Sequence, residues 1–195
     1  MLAYIFWHTP KPEIRTSDYE SGLLSFSQGL ARNGCEGLKS ANSFRISAVP
    51  WLDDREGYED WAIVDGSWAL EALNAVAVSG KMATPHSTVA QAMEIGHGGL
   101  YYHLWGDLEP QAADRTQWLS RPRGINFRPI LEKSTQEAGQ PVSVWRRFMV
   151  LGPGWEFLVL GSGQLMLQIP QGWRTHNVSR GLVSPSSSER SNGAS

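Results

Sequence analysis

The residues best suited to chemistry in this chain stand at alternate positions of short aromatic runs. His103 lies two residues from both Tyr101 and Trp105. Its imidazole titrates near neutral pH and could act as a general acid or base. Along an extended strand, residues two apart share one face. Other runs give similar mixed sets: Glu59 with Trp61, Trp145 with Arg147, Tyr4 with His8, Arg45 between Phe44 and Ile46, and Glu156 ahead of Leu158 and Leu160. A face turned toward helices should be apolar, so the mixed sets are assigned to the opposite face. There Arg45, Glu59, Trp61, Tyr101, His103, Trp105, Trp145, Arg147 and Glu156 would form a cavity wall, with Tyr4 and His8 joining from the first run. Such a wall suits a small planar or aromatic molecule. Rings supply contact area, while Arg45 or Arg147 fixes a carboxylate or phenolate and His103 moves the proton.

A non-catalytic reading uses the same residues. Arg45 with Glu59, and Arg147 with Glu156, could be cross-strand ion pairs in a binding or scaffold protein. If such pairs were buried, their desolvation would offset much of their attraction. Other chemistry has weaker support. Gly161-Ser162-Gly163 is followed by Met166 where a dinucleotide fingerprint needs its third glycine. Glu94 and His97 stand three apart, but His97 adjoins Gly96 and Gly98, so no fixed metal site is expected. Cys35, the one cysteine, excludes an intrachain disulfide and reads as a spectator thiol.

The elements that must position these residues follow from periodicity and punctuation. Leu2–His8 reads as a strand stopped by Thr9-Pro10-Lys11-Pro12. Ser17-Asp18-Tyr19-Glu20 forms a capping box for a helix carrying Tyr19, Leu23, Phe26 and Leu30 on one stripe. Ser43–Val49 and Tyr58–Asp65 read as a strand pair. Helices then start at Gly66-Ser67 and at Thr84-Pro85, and Gly98-Gly99 breaks the second before a strand Leu100–Trp105. A further strand around Thr116–Leu119, a helix over 126–138, and strands Val142–Leu151 and Trp155–Leu160 complete a second series. After it come short strands at Leu165–Ile169 and Val178–Val183, then a Ser-rich, disordered tail from Ser184.

The second series echoes the first. Phe6-Trp7-His8-Thr9-Pro10-Lys11-Pro12 returns as Gln117-Trp118-Leu119-Ser120-Arg121-Pro122-Arg123, and Gly57-Tyr58-Glu59 returns as Gly154-Trp155-Glu156. The β-α-β-β-α-β order is the ferredoxin-like motif. Used twice, with aromatic-rich opening strands, it resembles the dimeric α+β barrel superfamily. The resemblance implies an α+β fold of two tandem ferredoxin-like units, 1–108 and a truncated 109–183, with antiparallel sheets packed face to face and 184–195 as a tail. It implies a cavity between the sheets and a cofactor-independent monooxygenase, cyclase or isomerase of bacterial type. The group also contains haem proteins, for which His103 or His97 would be the axial ligand, and no cofactor is otherwise required.

With 195 residues and a net charge of −2, the chain carries no electrostatic footprint for nucleic acid. No apolar stretch nears the roughly 20 residues of a membrane span. The apolar run at Leu2 lacks a basic leader, so a cytoplasmic monomer or homodimer is expected.

Overall fold

The structure, a computed structural model, describes residues 1–184. The tail expected from Ser184 therefore lies, but for its first residue, outside the described residues. Eight strands and four helices follow one another as β1 (Leu2–Pro10), α1 (Thr16–Arg32), β2 (Leu38–Val49), β3 (Arg55–Val64), α2 (Ala69–Ala77), α3 (Ala83–Ala92), β4 (Met93–Trp105), β5 (Arg115–Ser120), α4 (Phe127–Glu137), β6 (Ser143–Arg147), β7 (Phe157–Gly161) and β8 (Arg174–Leu182). The strands close into one antiparallel barrel in the order β1-β3-β2-β8-β5-β7-β6-β4. Two separate sheets packed face to face were expected. Instead β2 pairs with β8 and β4 with β6, so the two quartets β4-β1-β3-β2 and β8-β5-β7-β6 share both seams. Closure within the chain leaves no strand edge of the barrel unpaired among the described residues.

Several boundaries differ from expectation for identifiable reasons. The capping box does not form. The N-cap of α1 is Arg15, and Glu20 turns away to bind Arg45 and Tyr58. Gly98 and Gly99 do not break the chain but lie inside β4, which begins at Met93. A Cβ at Gly98 would come 2.7 Å from the Tyr4 hydroxyl, and one at Gly99 would come 2.9 Å from the Trp7 ring. The glycines are required by close packing against β1, a use of glycine that resembles a break in sequence. Leu165–Ile169 is not a strand. Its Leu165 and Leu167 pack over the second quartet, with Ser134 Oγ donating to the Gln168 carbonyl at 2.7 Å.

The barrel interior is a packed core. Trp7, Trp51 and Trp118 meet edge to face with centroids 4.8–5.6 Å apart, and Trp61 meets Trp145 at 5.5 Å. Ile5, Phe44, Tyr101, Leu158 and Leu160 fill the remaining space. Five of the nine tryptophans are thus core, the commoner use of large rings. Amid them Glu59 and Arg180 form an ion pair at 2.9 Å, both with no exposed side-chain surface. The guanidinium lies over Phe44 at 3.8 Å and donates to the Pro110 carbonyl at 2.7 Å. Burial lowers its pKa, and Glu59 opposes that shift.

Candidate functional site

The outer face of β1, β3 and β4 presents small or polar residues beneath α1, α2 and α3. Ala41 and Ala62 keep the sheet floor low there, and Gly98 and Gly99 border the same wall. The result is a cavity of about 540 Å³ between sheet and helices. Its walls are mostly apolar: Phe6, Phe26, Leu30, Leu70, Leu73, Val89 and Met93 among them. Leu151 reaches it from the loop between β6 and β7. The polar side chains in the lining include Tyr4, Asn42, Asp60, Asn74 and His86, while neither Lys nor Arg lines it.

Asp60 is the one carboxylate in this lining. Its alternation with Glu59 and Trp61 turns it out of the barrel, opposite Phe6 on β1 and Ser43 on β2. Behind it stands His8, fully buried, with Nε2 3.3 Å from Asp60 Oδ2. That separation lies within ion-pair range, but the ring nitrogen does not meet hydrogen-bond geometry. On its other side His8 Nδ1 lies 2.6 Å from the Tyr19 hydroxyl. Burial, reinforced by the Asp60 charge, pushes the Tyr19 phenol well above its ordinary pKa. Nδ1 thus faces the protonated phenol and Nε2 faces Asp60. Asp60 Oδ1 is buried without a partner. Tyr4 is likewise raised, by burial first and then by Asp60, and so stays a neutral hydroxyl at the wall.

Beside this line, Glu20 on α1 accepts from Arg45 Nη2 at 2.6 Å and from the Tyr58 hydroxyl at 2.9 Å. The Arg45 bonds hold the Glu20 carboxyl below its ordinary range. Burial and the Glu20 contact push Tyr58 up to about 12. Tyr58 also stacks on His8 at 5.6 Å, so the cluster braces the imidazole from the helix side.

The residues expected on one wall are therefore divided among several places. Glu59, Trp61, Tyr101 and Trp145 face the barrel interior as core. His103 is half-buried, edge-on to Trp145 at 4.9 Å, with Nε2 2.8 Å from the Gly106 carbonyl, and does not line the cavity. Trp105 lies beyond a register shift, packs on the opposite quartet's outer face and sits beneath Arg128. Arg45 is turned outward to Glu20, so it pairs with neither Glu59 nor a cavity ligand. Glu156 binds Arg146 and Arg121 in place of Arg147. Arg147 donates to the Gly152 and Gly154 carbonyls. Only Tyr4 and Trp61 of the expected set border the cavity, Trp61 with its ring turned into the barrel against Trp145, and His8 lies directly behind the wall. Asp60, one residue from Glu59 and so on the opposite face of β3, was not among the residues expected at the site. Its polarity on that face was the signal that the sequence offered.

Among the described residues no group of three His, Cys, Asp or Glu gathers as metal ligands, and no helix is long and apolar enough to cross a membrane. Cys35 is buried, and burial with the neighbouring Glu36 charge raises its thiol pKa.

No protein family matches the sequence, and no curated protein matches it. Similarity is found among solved structures. A protein named as a monooxygenase from Lactobacillus acidophilus NCFM superposes with a TM-score of 0.52 at 8% identity, covering 92% of this chain and 93% of that one. A protein named as a chlorite dismutase gives 0.56 at 9%, covering 94% and 95%. A mutant chlorite dismutase from Candidatus Nitrospira defluvii gives 0.54 at 7%, covering 94% and 92%. At such identities the likeness shows the fold alone, a mixed α+β fold with an antiparallel, barrel-like sheet.

Proposed function

We propose that this protein is a cofactor-independent acid–base enzyme acting on a small, largely apolar molecule held between the barrel and α1–α3. Asp60 is its base and His8 its positioning residue. The observation that carries this reading is the unpartnered oxygen of Asp60, a carboxylate backed by buried His8 and Tyr19 at an otherwise apolar cavity. An unmet acceptor of this kind is costly unless a ligand supplies a donor. The ligand class that fits is an uncharged ring system bearing an O–H, N–H or acidic C–H. With neither Lys nor Arg in the lining, a ligand carboxylate gains no counter-charge there.

In the proposed step, Asp60 takes the proton from the carbon next to a carbonyl. The developing enolate is met by donors on the same wall, the Tyr4 hydroxyl and the Asn42 amide. Buried His8, with Nε2 3.3 Å from Asp60 Oδ2, backs the carboxylate from inside the wall.

The residues fit haem poorly. His86 is the only histidine in the cavity lining, and it is packed against Phe26 at 5.9 Å. His97 and His103 lie outside it, and no Lys or Arg is present to pair with propionates. No step is routed through that group. The division into two tandem units, 1–108 and 109–183, is also proposed. Its support is the identical order of the two quartets, each first strand flanked by its fourth and third, with the second beyond the third.

The test is α-proton exchange of 2-tetralone in D₂O, followed by NMR. The protein should accelerate exchange, Asp60→Asn should remove about 10²-fold or more of that acceleration, and Leu73→Trp, which fills the cavity, should abolish it. No acceleration by the wild type, or equal rates in wild type and Asp60→Asn, would overturn the proposal.

A further inference from the structure

A second pocket, of about 330 Å³, opens beside the loop between β6 and β7. Arg146, Arg147 and Arg174 line it together with Glu156, Trp155 and Ser120. Three guanidiniums against one carboxylate leave the lining with a net charge of about +2. Glu156 is already shared: Oε1 accepts from Arg146 Nη2 at 3.0 Å, and Oε2 from Arg121 Nε at 3.1 Å. Arg121 therefore adds a further positive charge at the edge of the same carboxylate.

Each guanidinium is held by neutral or shared contacts that orient it without cancelling its charge. Arg146 also donates to the Tyr102 hydroxyl at 3.2 Å and lies over Phe127 at 4.9 Å. Arg147 Nη1 donates to the carbonyls of Gly152 and Gly154 at 3.2 and 2.7 Å. Arg174 lies over the Trp155 ring at 4.9 Å, and among the described residues it has no carboxylate partner. Side chains fixed in this way lose little freedom when a ligand arrives, so the ordering cost of binding is small. Planar guanidinium forks match the oxygens of phosphate, and several acting together suit a dianion better than a single carboxylate.

We infer that this pocket binds the phosphate group of a small phosphomonoester, at a site separate from the apolar cavity and independent of its chemistry. Arg147 and Glu156, expected from the sequence at a common substrate wall, belong to this site.

The experiment is calorimetric titration of the full chain with phenyl phosphate, inorganic phosphate, sulfate and benzoate, all at matched ionic strength. Phenyl phosphate and inorganic phosphate should bind saturably with one site per chain, and benzoate more weakly. Arg174→Gln, a change at an exposed position, should weaken phosphate binding about tenfold, the effect of losing one charged hydrogen-bonding partner. Arg55→Gln, an exposed arginine on another part of the molecule, should leave it unchanged. Absence of saturable phosphate binding, equal affinity in Arg174→Gln, or an equal loss in Arg55→Gln would overturn the site. Tighter binding of benzoate than of phenyl phosphate would overturn its assignment to phosphate.

Discussion

The two quartets of the barrel have the same strand order, yet one carries a cavity on its outer face and the other a filled core. Strand pairing shows where they part. Trp7 stands opposite Glu59, whereas Trp118 stands opposite Leu158. Phe6 pairs with Asp60 and His8 with Tyr58. The corresponding pairs in the second quartet are Gln117 with Val159 and Leu119 with Phe157. A polar outer row of His8, Tyr58 and Asp60 is thus matched by Leu119, Phe157 and Val159. Covering differs as well. Three helices span the first face, while α4 and the extended segment from Leu165 press directly on the second. Three helices leaning on a sheet floor that includes Ala41 and Ala62 leave a gap, and a close-fitting strap over leucine and phenylalanine does not. A common topology therefore leaves the location of a site undecided, and side-chain volume on one face decides it.

The largest expected effect tests the inner row. Glu59→Leu gives the first quartet the residue of the second, but it leaves Arg180 buried without its counter-charge. Chemical denaturation should show a loss of about 3–5 kcal/mol, most of it recovered in Glu59→Leu/Arg180→Met. If the double variant were as unstable as the single one, the pair would not be the source of the cost.

Next come the outer faces. Phe157→Ala in the filled cluster should cost about 3–4 kcal/mol. Leu73→Ala, whose side chain already borders a cavity, should cost about 2 kcal/mol, because fewer contacts are lost there. Equal losses, measured by the same denaturation, would erase the distinction between the two faces.

The smallest effect is ionic and confined to the α1 side. Glu20 has a lowered pKa in the folded state, so its contribution is present above its unfolded value near 4.5 and is lost as pH falls through the lower folded value. Solvent around the exposed Arg45 screens the pair, so about 1 kcal/mol is at stake. Glu20→Gln should therefore be less stable than wild type at pH 7 by that amount, and the difference should shrink below pH 4.5. Stability curves that stay parallel between pH 7 and 3 would exclude Glu20 as the source.

Much of the fold was legible because it rests on local rules. The stripe Tyr19-Leu23-Phe26-Leu30, the helix over 126–138 and the alternation along β1 and β3 all appear as read, to within a residue at the helix ends. The site was less legible. Parity identified which residues share a face, but the mixed polar face was assigned to a cavity when it is the inside of a barrel filled by tryptophan rings. The motif match of Tyr58-Glu59 with Trp155-Glu156 also misled. It runs two residues out of step with the ladders, which set Glu59 level with Leu158. The partners of Arg45 and Glu59 come from α1 and β8, 25 and 121 residues away, beyond the reach of any spacing rule.

The sequence by itself determined the helices, the strand faces and the doubled aromatic pattern, because periods of 3.6 and 2 and the chemistry of turns act over a few residues. Tertiary structure alone decided which face encloses space, that Asp60 meets His8, and that Arg180 neutralises Glu59. Each of those depends on the volumes and charges that barrel closure brings together from distant parts of the chain.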